Sequence, residues 1–352
     1  MIKKWLLTVI LTFVVLCTMS IVWKNTKISF DKDSKYRVAL PQTMRTAIIK
    51  NGSDKDLFKN IIVEKTSLPE IGSKDVLVYV KSATFTQRDF DFFKSNKSRK
   101  QFVPCSDFSG VVVKVGEKVK IYEVGDRVFG ISDLKNVNGA CADYVAVPEN
   151  NIYTIPYSLT FKQAAMIPTP ALLNWFAVHN LQKVGLQSGK VLIDDAMSEV
   201  GIMLTGLLIK NGFEVTTIDD DHLESWAENY GVKEFIPSSQ FLYKKEQLKG
   251  KFDVVINLKN GLSSKELTAL VKKKGTFISF EQTESQRKDI RMLIIDNKLI
   301  DKDIFAKMAR LVHLGKLQVQ SSNEYGLEHI RDAYMFALKG NNNGKVIVNV
   351  NK

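Results

Sequence analysis

The segment Val191-Leu-Ile-Asp-Asp-Ala-Met-Ser-Glu-Val-Gly201 contains the pattern that decides the fold. A short apolar strand, 191–193, runs into a tight turn, and an apolar helix is predicted over 200–211. A second apolar strand, 213–218, follows and ends at Asp219. A strand, a helix and a strand in this order are typical of the first unit of a doubly wound parallel sheet.

The turn inside this segment has unusual side chains. Where such a turn binds a dinucleotide, glycines let backbone N–H groups approach the diphosphate at the helix N-terminus. Here Asp194, Asp195, Ser198 and Glu199 occupy the turn, and only Gly201 keeps a glycine. Three carboxylates would repel an anion, so the sequence predicts a nucleotide-domain scaffold with a damaged cofactor turn.

Several segments outside the turn share the pattern of one enzyme family. They are PCSDFSGVVVKVG (104–116), VGDRVFG (124–130), GACADY (139–144), QAAMIP (163–168), FDVVIN (252–257) and KGTFIS (274–279). In this order they resemble the medium-chain dehydrogenase/reductase family, and most of all its zinc-free quinone oxidoreductase and enoyl reductase branch. The resemblance runs from about residue 44 to the end of the chain.

The resemblance and the periodicities together predict an α/β fold with two domains. A partly open, GroES-like β-barrel would be formed by residues 44–160 and 301–352, and a Rossmann-like doubly wound parallel sheet by residues 161–300. Residues 24–43 would form a linker. A chain of 352 residues that is 45% hydrophobic can bury cores of this size.

The N-terminus predicts a membrane anchor. Lys3 and Lys4 precede residues 5–23, which contain no charge and which, at about 1.5 Å per residue, nearly span a hydrocarbon core of about 30 Å. The run exceeds the usual signal-peptide core of about 7–15 residues and lacks a small-residue cleavage site. We therefore expect one uncleaved transmembrane helix and a single-pass protein, in the inner membrane if bacterial, with its domain on the exported side. Lysines after the run favour the opposite orientation.

The net charge of +12, from 50 basic and 38 acidic residues, does not indicate nucleic-acid binding. The lysines are scattered in pairs and triplets without interleaved aromatic residues, as on a solvated surface.

The resemblance also predicts that no metal is bound. Zinc-dependent relatives place ligands at the positions of Thr86, Gln87, Ser106 and Asp107. Hydroxyl and amide side chains are not usual zinc ligands, and catalytic zinc needs three protein ligands.

Four residues stand at positions that bind the cofactor in the family: Thr86, Ser198, Gly201 and Asp219. Thr86 replaces an asparagine that lies near the nicotinamide in zinc-free relatives. Asp219 would bind the ribose hydroxyls of NAD, and the run of three acids that it begins disfavours the 2′-phosphate of NADP. An acidic surface turn explains the same residues equally well.

Cys105 and Cys141 both lie in the predicted barrel domain, 36 positions apart. Whether they form a disulfide or two buried thiols depends on a distance that the sequence does not give.

Two functional hypotheses follow. In the first, the chain is a catalytically inactive, membrane-anchored relative without a cofactor, serving as a structural or protein-binding module with a protein partner or as a homodimer. In the alternative, it is an NAD-dependent, zinc-free reductase of a quinone, enone or aldehyde. The acidic turn and the missing family asparagine favour the first hypothesis, and the assignment as an enzyme stays open.

Overall fold

The computed structural model describes residues 39–50, 60–95, 101–132, 139–258, 262–280, 283–295, 301–339 and 343–351. Its strands are β1 (Thr43–Lys50), β2 (Ile61–Ser67), β3 (Asp75–Thr84), β4 (Gln101–Phe102), β5 (Asp107–Val115), β6 (Arg127–Ile131), β7 (Tyr144–Pro148), β8 (Ile152–Thr154), β9 (Gly189–Asp194), β10 (Phe213–Asp219), β11 (Glu234–Pro237), β12 (Phe252–Asn257), β13 (Val271–Ser279), β14 (Arg291–Ile294), β15 (Ser321–Gly326) and β16 (Lys345–Asn349).

The α-helices of the described residues connect or cover these strands. They are α1 (Gln87–Ser95), α2 (Phe161–Ala165), α3 (Pro168–Lys183), α4 (Gly201–Lys210), α5 (Glu224–Asn229), α6 (Phe241–Leu248), α7 (Ser264–Ala269), α8 (Lys302–His313) and α9 (Ile330–Leu338).

The N-terminal and C-terminal strands form a mostly antiparallel system. One sheet has the order β2-β1-β4, and a second has the order β15-β16-β3-β5-β6-β8, with β7 also paired to β3. Residues of both sheets and of α9 share one hydrophobic core. Strand β16 thereby returns the end of the chain to β3, with Ile347 opposite Thr84.

The middle of the chain forms a parallel sheet with the order β11-β10-β9-β12-β13-β14. The strand order therefore reverses between β9 and β12, and the carboxyl ends of these strands meet where Asp194 lies opposite Asn257. In doubly wound sheets the crevice outside this switch point is where ligands bind. The predicted doubly wound parallel sheet is confirmed.

The first strand and helix of this sheet match their sequence patterns closely. Val191, Leu192 and Ile193 are fully buried, as the continuous apolar run of a central parallel strand requires. Helix α4 begins and ends within one residue of the predicted range 200–211. It ends before Gly212, whose φ of +85° suits a residue that terminates a helix.

The two sheet systems meet through side chains of α3 and α8. Phe129 of β6 and Phe305 of α8 have ring centroids 5.9 Å apart, and both belong to the core of the parallel sheet. The predicted domain boundaries and the linker remain predictions.

Cys105 and Cys141 form a disulfide with a Cα–Cα distance of 5.4 Å. Both residues are fully buried. The pairing that the sequence left open is thus resolved in favour of a disulfide.

The prediction of a single-pass membrane protein is corrected. Residues 5–23 lie outside the described residues, and within the described ranges there is no helix long and apolar enough to cross a membrane. The longest helix there, α3, has 16 residues, whereas a span takes about 20.

Candidate active site

The turn between β9 and α4 lies at the switch point and is closed by its own side chains. Asp195 adopts a φ of +74°, a left-handed conformation that aspartate tolerates better than most residues. The Ser198 hydroxyl donates to the Asp195 carbonyl at 2.8 Å and accepts from the Gly201 N–H at 3.2 Å. A Cβ on Gly201 would lie 2.5 Å from the carbonyl oxygens of Asp195 and Ala196, so the helix packs on the turn as only glycine allows.

Asp219 binds this turn from the neighbouring strand. Its carboxylate accepts from the N–H groups of Ala196, at 3.1 Å, and Met197, at 3.4 Å, and from the Thr217 hydroxyl. Burial raises the pKa of Asp219 to about 7, although these hydrogen bonds act in the opposite direction. The side chain that the sequence assigns to a ribose is only 4% exposed and holds the backbone of the turn.

Among the acids of the turn, Glu199 interacts electrostatically with charged residues of the antiparallel part of the molecule. Its side chain is half-buried, and burial raises its pKa to about 7. The charges that influence it most come from Lys345, which lowers the pKa, and from Asp107 and Asp89, which raise it, with a smaller contribution from Asp195. The first three lie on β16, β5 and α1, so Glu199 faces the antiparallel part of the molecule.

A buried hydroxyl pair lies on that facing side. The Oδ2 atom of Asp89 accepts from the N–H and hydroxyl of Thr86, at 2.8 and 3.1 Å, and from those of Ser106, at 3.2 and 3.0 Å. The two hydroxyls are themselves 2.6 Å apart. Burial raises the pKa of Asp89 in spite of these bonds, and its Oδ1 has no hydrogen-bond partner among the described residues.

Lys345 is a buried cation that sequence reasoning missed. Its Nζ lies 2.5 Å from Asp107 Oδ2 and donates to Thr84 Oγ1 at 3.1 Å. Asp107 also accepts from the N–H and hydroxyl of Thr169 on α3, at 2.9 and 2.7 Å. The available signal was a lysine directly before the apolar strand VIV (346–348), where a charged side chain must be paired if it is buried.

Asn174 of α3 is a second residue to which the sequence assigned no role in the site. It is fully buried, and its Nδ2 donates to the carbonyl of Val200 at 2.9 Å, which fixes the start of α4. Its Oδ1 is buried and has no partner within the described part of the chain. The turn therefore has an acceptor beside it that is placed to receive a hydrogen bond.

The structure thus separates the four predicted cofactor-binding residues into two groups. Ser198 and Gly201 lie at the turn between β9 and α4, and Asp219 binds the backbone of the same turn from the end of β10. Thr86 lies on the opposite side of the crevice, in the cluster around Asp89. Glu199 connects the two groups electrostatically.

The positions of the family's zinc ligands contain two hydroxyls, one amide and one ion-paired carboxylate: Thr86, Ser106, Gln87 and Asp107. In the ranges that the structure describes, there is no group of three or more histidine, cysteine, aspartate or glutamate residues that could hold a metal ion. Serine and threonine hydroxyls are not usual zinc ligands. That the protein binds no metal stays a prediction.

Two protein-family models match the chain. The alcohol dehydrogenase GroES-like domain matches residues 72–157, and the zinc-binding dehydrogenase model matches residues 230–348. The first match confirms the predicted GroES-like character of the antiparallel part.

Individual relatives match most of the chain. The 2-methylene-furan-3-one reductase of Solanum lycopersicum is 25% identical, over 88% of this chain and 80% of that protein. The quinone oxidoreductase of Homo sapiens is 24% identical, over 79% of this chain and 86% of that protein. Among solved structures, the quinone oxidoreductase from Coxiella burnetii superposes with a TM-score of 0.79 at 22% identity, covering 88% of this chain and all of that chain.

These matches overturn the first functional hypothesis, that of an inactive, membrane-anchored binding module. The relatives that match most of the chain are named as a reductase and an oxidoreductase. The structure also weakens the argument that the carboxylates of the turn would repel a bound coenzyme. Asp194 is only 4% exposed, and Glu199 has a pKa raised to about 7, so the turn presents less negative charge than its sequence suggests.

The shared fold, the two family models and the relatives that span most of the chain agree with the sequence motifs. The chain belongs to the medium-chain dehydrogenase/reductase family.

Proposed function

We propose that the protein is an NAD(P)H-dependent, zinc-free reductase of an electron-poor double bond, such as that of an enone, an alkenal or a quinone. The family consists of NAD(P)-dependent oxidoreductases. The observation that carries the proposal is the similarity, over most of the chain, to relatives named as a furanone reductase and a quinone oxidoreductase. This is the alternative hypothesis of the sequence analysis.

The backbone of the turn between β9 and α4 is suited to binding a dinucleotide. Gly201 brings the start of a ten-residue helix onto the carbonyl oxygens of the turn, and a helix N-terminus favours a bound anion. The unpartnered Oδ1 of Asn174 is an acceptor for a hydroxyl or amide donor of the coenzyme. Residues 198–201 would hold the diphosphate, and Asn174 would hold the part of the coenzyme beside it.

NADH is the coenzyme that the acidic end of β10 favours. The half-buried Asp220 and the exposed Asp221 follow this strand, where a 2′-phosphate would lie. Their carboxylates accept hydrogen bonds from Ser238 and Ser239, which keeps them at this place. Two anionic side chains disfavour an additional phosphate dianion.

The facing side of the crevice would hold and orient the substrate. When bound, the coenzyme supplies a hydride for the electron-poor carbon of the substrate. Asp89 fixes the hydroxyls of Thr86 and Ser106 in one hydrogen-bonded chain, which gives this side a rigid polar surface. Lys345 keeps the Asp107 carboxylate neutralised, so that a neutral, apolar substrate does not meet an uncompensated charge.

A protein partner remains part of the proposal. Strand β14 ends the parallel sheet within the described residues, and an exposed edge pairs readily with the same edge of a second copy. We propose a homodimer through β14. Light scattering on a size-exclusion column should give twice the mass of the chain, and a monomer at micromolar concentration would contradict it.

Steady-state kinetics test the proposed activity. The purified chain, with NADH or NADPH, is offered a small enone, an alkenal, a benzoquinone and a saturated ketone as control. Oxidation of the coenzyme should occur with at least one of the first three acceptors and not with the ketone, and NADH should have the lower KM. Absence of oxidation with all acceptors and both coenzymes would reject the reductase.

The same assay tests the absence of zinc. Pretreatment with a chelator should leave the rate unchanged, because Thr86 and Ser106 are not zinc ligands. Loss of activity that added zinc restores would contradict the zinc-free mechanism.

A further inference from the structure

We propose that Glu199 controls the affinity for the coenzyme through its proton: the dinucleotide binds the form in which this carboxyl is neutral. The inference rests on the proposed function, because it concerns binding of NAD(P)H in the crevice. It gives Glu199, an acid of the turn between β9 and α4, a role in binding the coenzyme.

The position of Glu199 is the first support. It lies in the turn at the switch point of the parallel sheet, two residues before Gly201 starts α4. This is the end of the helix toward which an anion is drawn. A carboxylate at this place competes directly with a diphosphate, whereas a carboxylic acid can donate a hydrogen bond to it.

The charges around Glu199 are the second support. Lys345 is the cation that acts on it, but the ammonium is already paired with Asp107 at 2.5 Å. The remaining charged groups that act on Glu199, Asp89 from α1 and Asp195 from its own turn, are acids. Among these groups of the described residues, a diphosphate entering the crevice therefore finds no uncommitted cation, so protonation of Glu199 is the way in which this part of the site can lower its own negative charge.

The burial of Glu199 makes this protonation accessible near neutral pH. Burial raises its pKa to about 7, so the free protein holds both forms in comparable amounts at neutrality. A bound anion raises the pKa further, so binding above neutral pH takes up a proton. By linkage, affinity is level on the acidic side of about pH 6 and falls by up to about tenfold per pH unit on the alkaline side of about pH 7.

Asn174 adds an independent observation. Its side chain is fully buried, it holds the carbonyl of Val200 next to Glu199, and its Oδ1 has no partner among the described residues. A buried acceptor without a donor is costly. The Oδ1 atom of Asn174 would gain a hydrogen bond if a bound coenzyme, or a neutral carboxyl in the turn, placed an O–H or N–H donor beside it. Ionised carboxylates offer no such donor.

Calorimetric titration of the full-length chain with NADH, from about pH 6 to about pH 9, tests the inference. Each pH is measured in two buffers of different ionisation enthalpy, so that the number of protons taken up is counted. Glu199→Gln is the variant, and Glu228→Gln, an exposed acid on α5, is the matched control. NADPH is titrated in parallel.

The wild type and the control should lose affinity by up to about tenfold per pH unit above about pH 7, with proton uptake on binding. Glu199→Gln should take up about one proton fewer and bind about tenfold or more tightly than the wild type at about pH 8. Equal proton uptake in Glu199→Gln and the wild type would overturn the inference while leaving the reductase intact. Absence of binding of either coenzyme to the wild type and the variant at every pH would instead reject the proposed function.

Discussion

Lys345 and Asp107 form an ion pair whose side chains are 1% and 0% exposed, with the ammonium 2.5 Å from the carboxylate. The carboxylate also accepts from Thr169, so the pair joins β16, β5 and α3. Two charges removed from water stabilise each other only while both are present. This ion pair therefore holds β16, near the C-terminus, against β5 and α3.

Removing the cation alone should be costly. Lys345→Met is expected to lower the free energy of unfolding by about 3–5 kcal/mol, because Asp107 stays buried without its partner. The double variant Lys345→Met, Asp107→Asn should recover most of that loss, since Asn still accepts from Thr169. Urea unfolding measures both variants. A double variant that loses at least as much as the single one would contradict the buried ion pair.

The start of α4 should not tolerate a side chain at Gly201. Gly201→Ala is expected to lower stability by about 1–3 kcal/mol, because the new Cβ would lie 2.5 Å from two backbone carbonyl oxygens. Gly206→Ala in the same helix is the control, since its Cβ would meet only the flexible side-chain end of Leu317, at 3.1 Å. Thermal unfolding compares the two, and equal stability would refute the close packing of the turn.

The Cys105–Cys141 disulfide should add measurably to stability. It closes a loop of 36 residues, and replacing both cysteines by serine is expected to lower the free energy of unfolding by about 3–4 kcal/mol. Mass spectrometry checks the bond directly. A chain denatured and alkylated after reduction should carry two more labels than one alkylated without reduction, and the same number of labels would show that the cysteines are free.

Stability should depend on pH through Glu199. Its pKa is raised from 4.5 in the unfolded chain to about 7 in the fold, so the folded state binds the proton more tightly. The stability contributed by the neutral carboxyl is therefore complete below about pH 4.5 and is lost as the pH rises to about 7.

Glu199→Gln should remove this dependence. We expect it to equal the wild type at about pH 4 and to exceed it by about 1–3 kcal/mol above about pH 7, a range that allows for the partial solvent exposure of the side chain. Denaturant unfolding across this range gives the difference. A constant difference at all pH values would show that the carboxyl ionises as freely in the fold as in the unfolded chain.

The fold was predictable because its signals are local. The apolar run at 191–193 and the helix that follows each occupy one element, and their periodicity does not depend on distant residues. The identity of the turn between them was predictable for the same reason. Its charge was misjudged, because a sequence does not show that Asp194 is buried or that burial shifts the pKa of Glu199.

The rest of the site depends on contacts between distant parts of the chain. Lys345 meets Asp107 across 238 positions, and Cys105 meets Cys141 across 36. Asp219 was placed correctly at the end of its strand, but the direction of its side chain is set by the N–H groups of Ala196 and Met197. Such pairings follow from the register and the packing of the strands, which residue patterns alone do not determine.

Isotope transfer tests the central claim, reduction of an electron-poor double bond by NAD(P)H, most directly. The full-length chain is incubated with coenzyme deuterated at the transferable C4 position and with the enone or alkenal that gives the fastest oxidation. Mass spectrometry and NMR of the product should locate one deuterium on the β-carbon of the saturated carbonyl compound. A product without deuterium would contradict hydride transfer from the coenzyme, and absence of reaction with the enone, the alkenal and the benzoquinone with both coenzymes would contradict the assignment as a reductase.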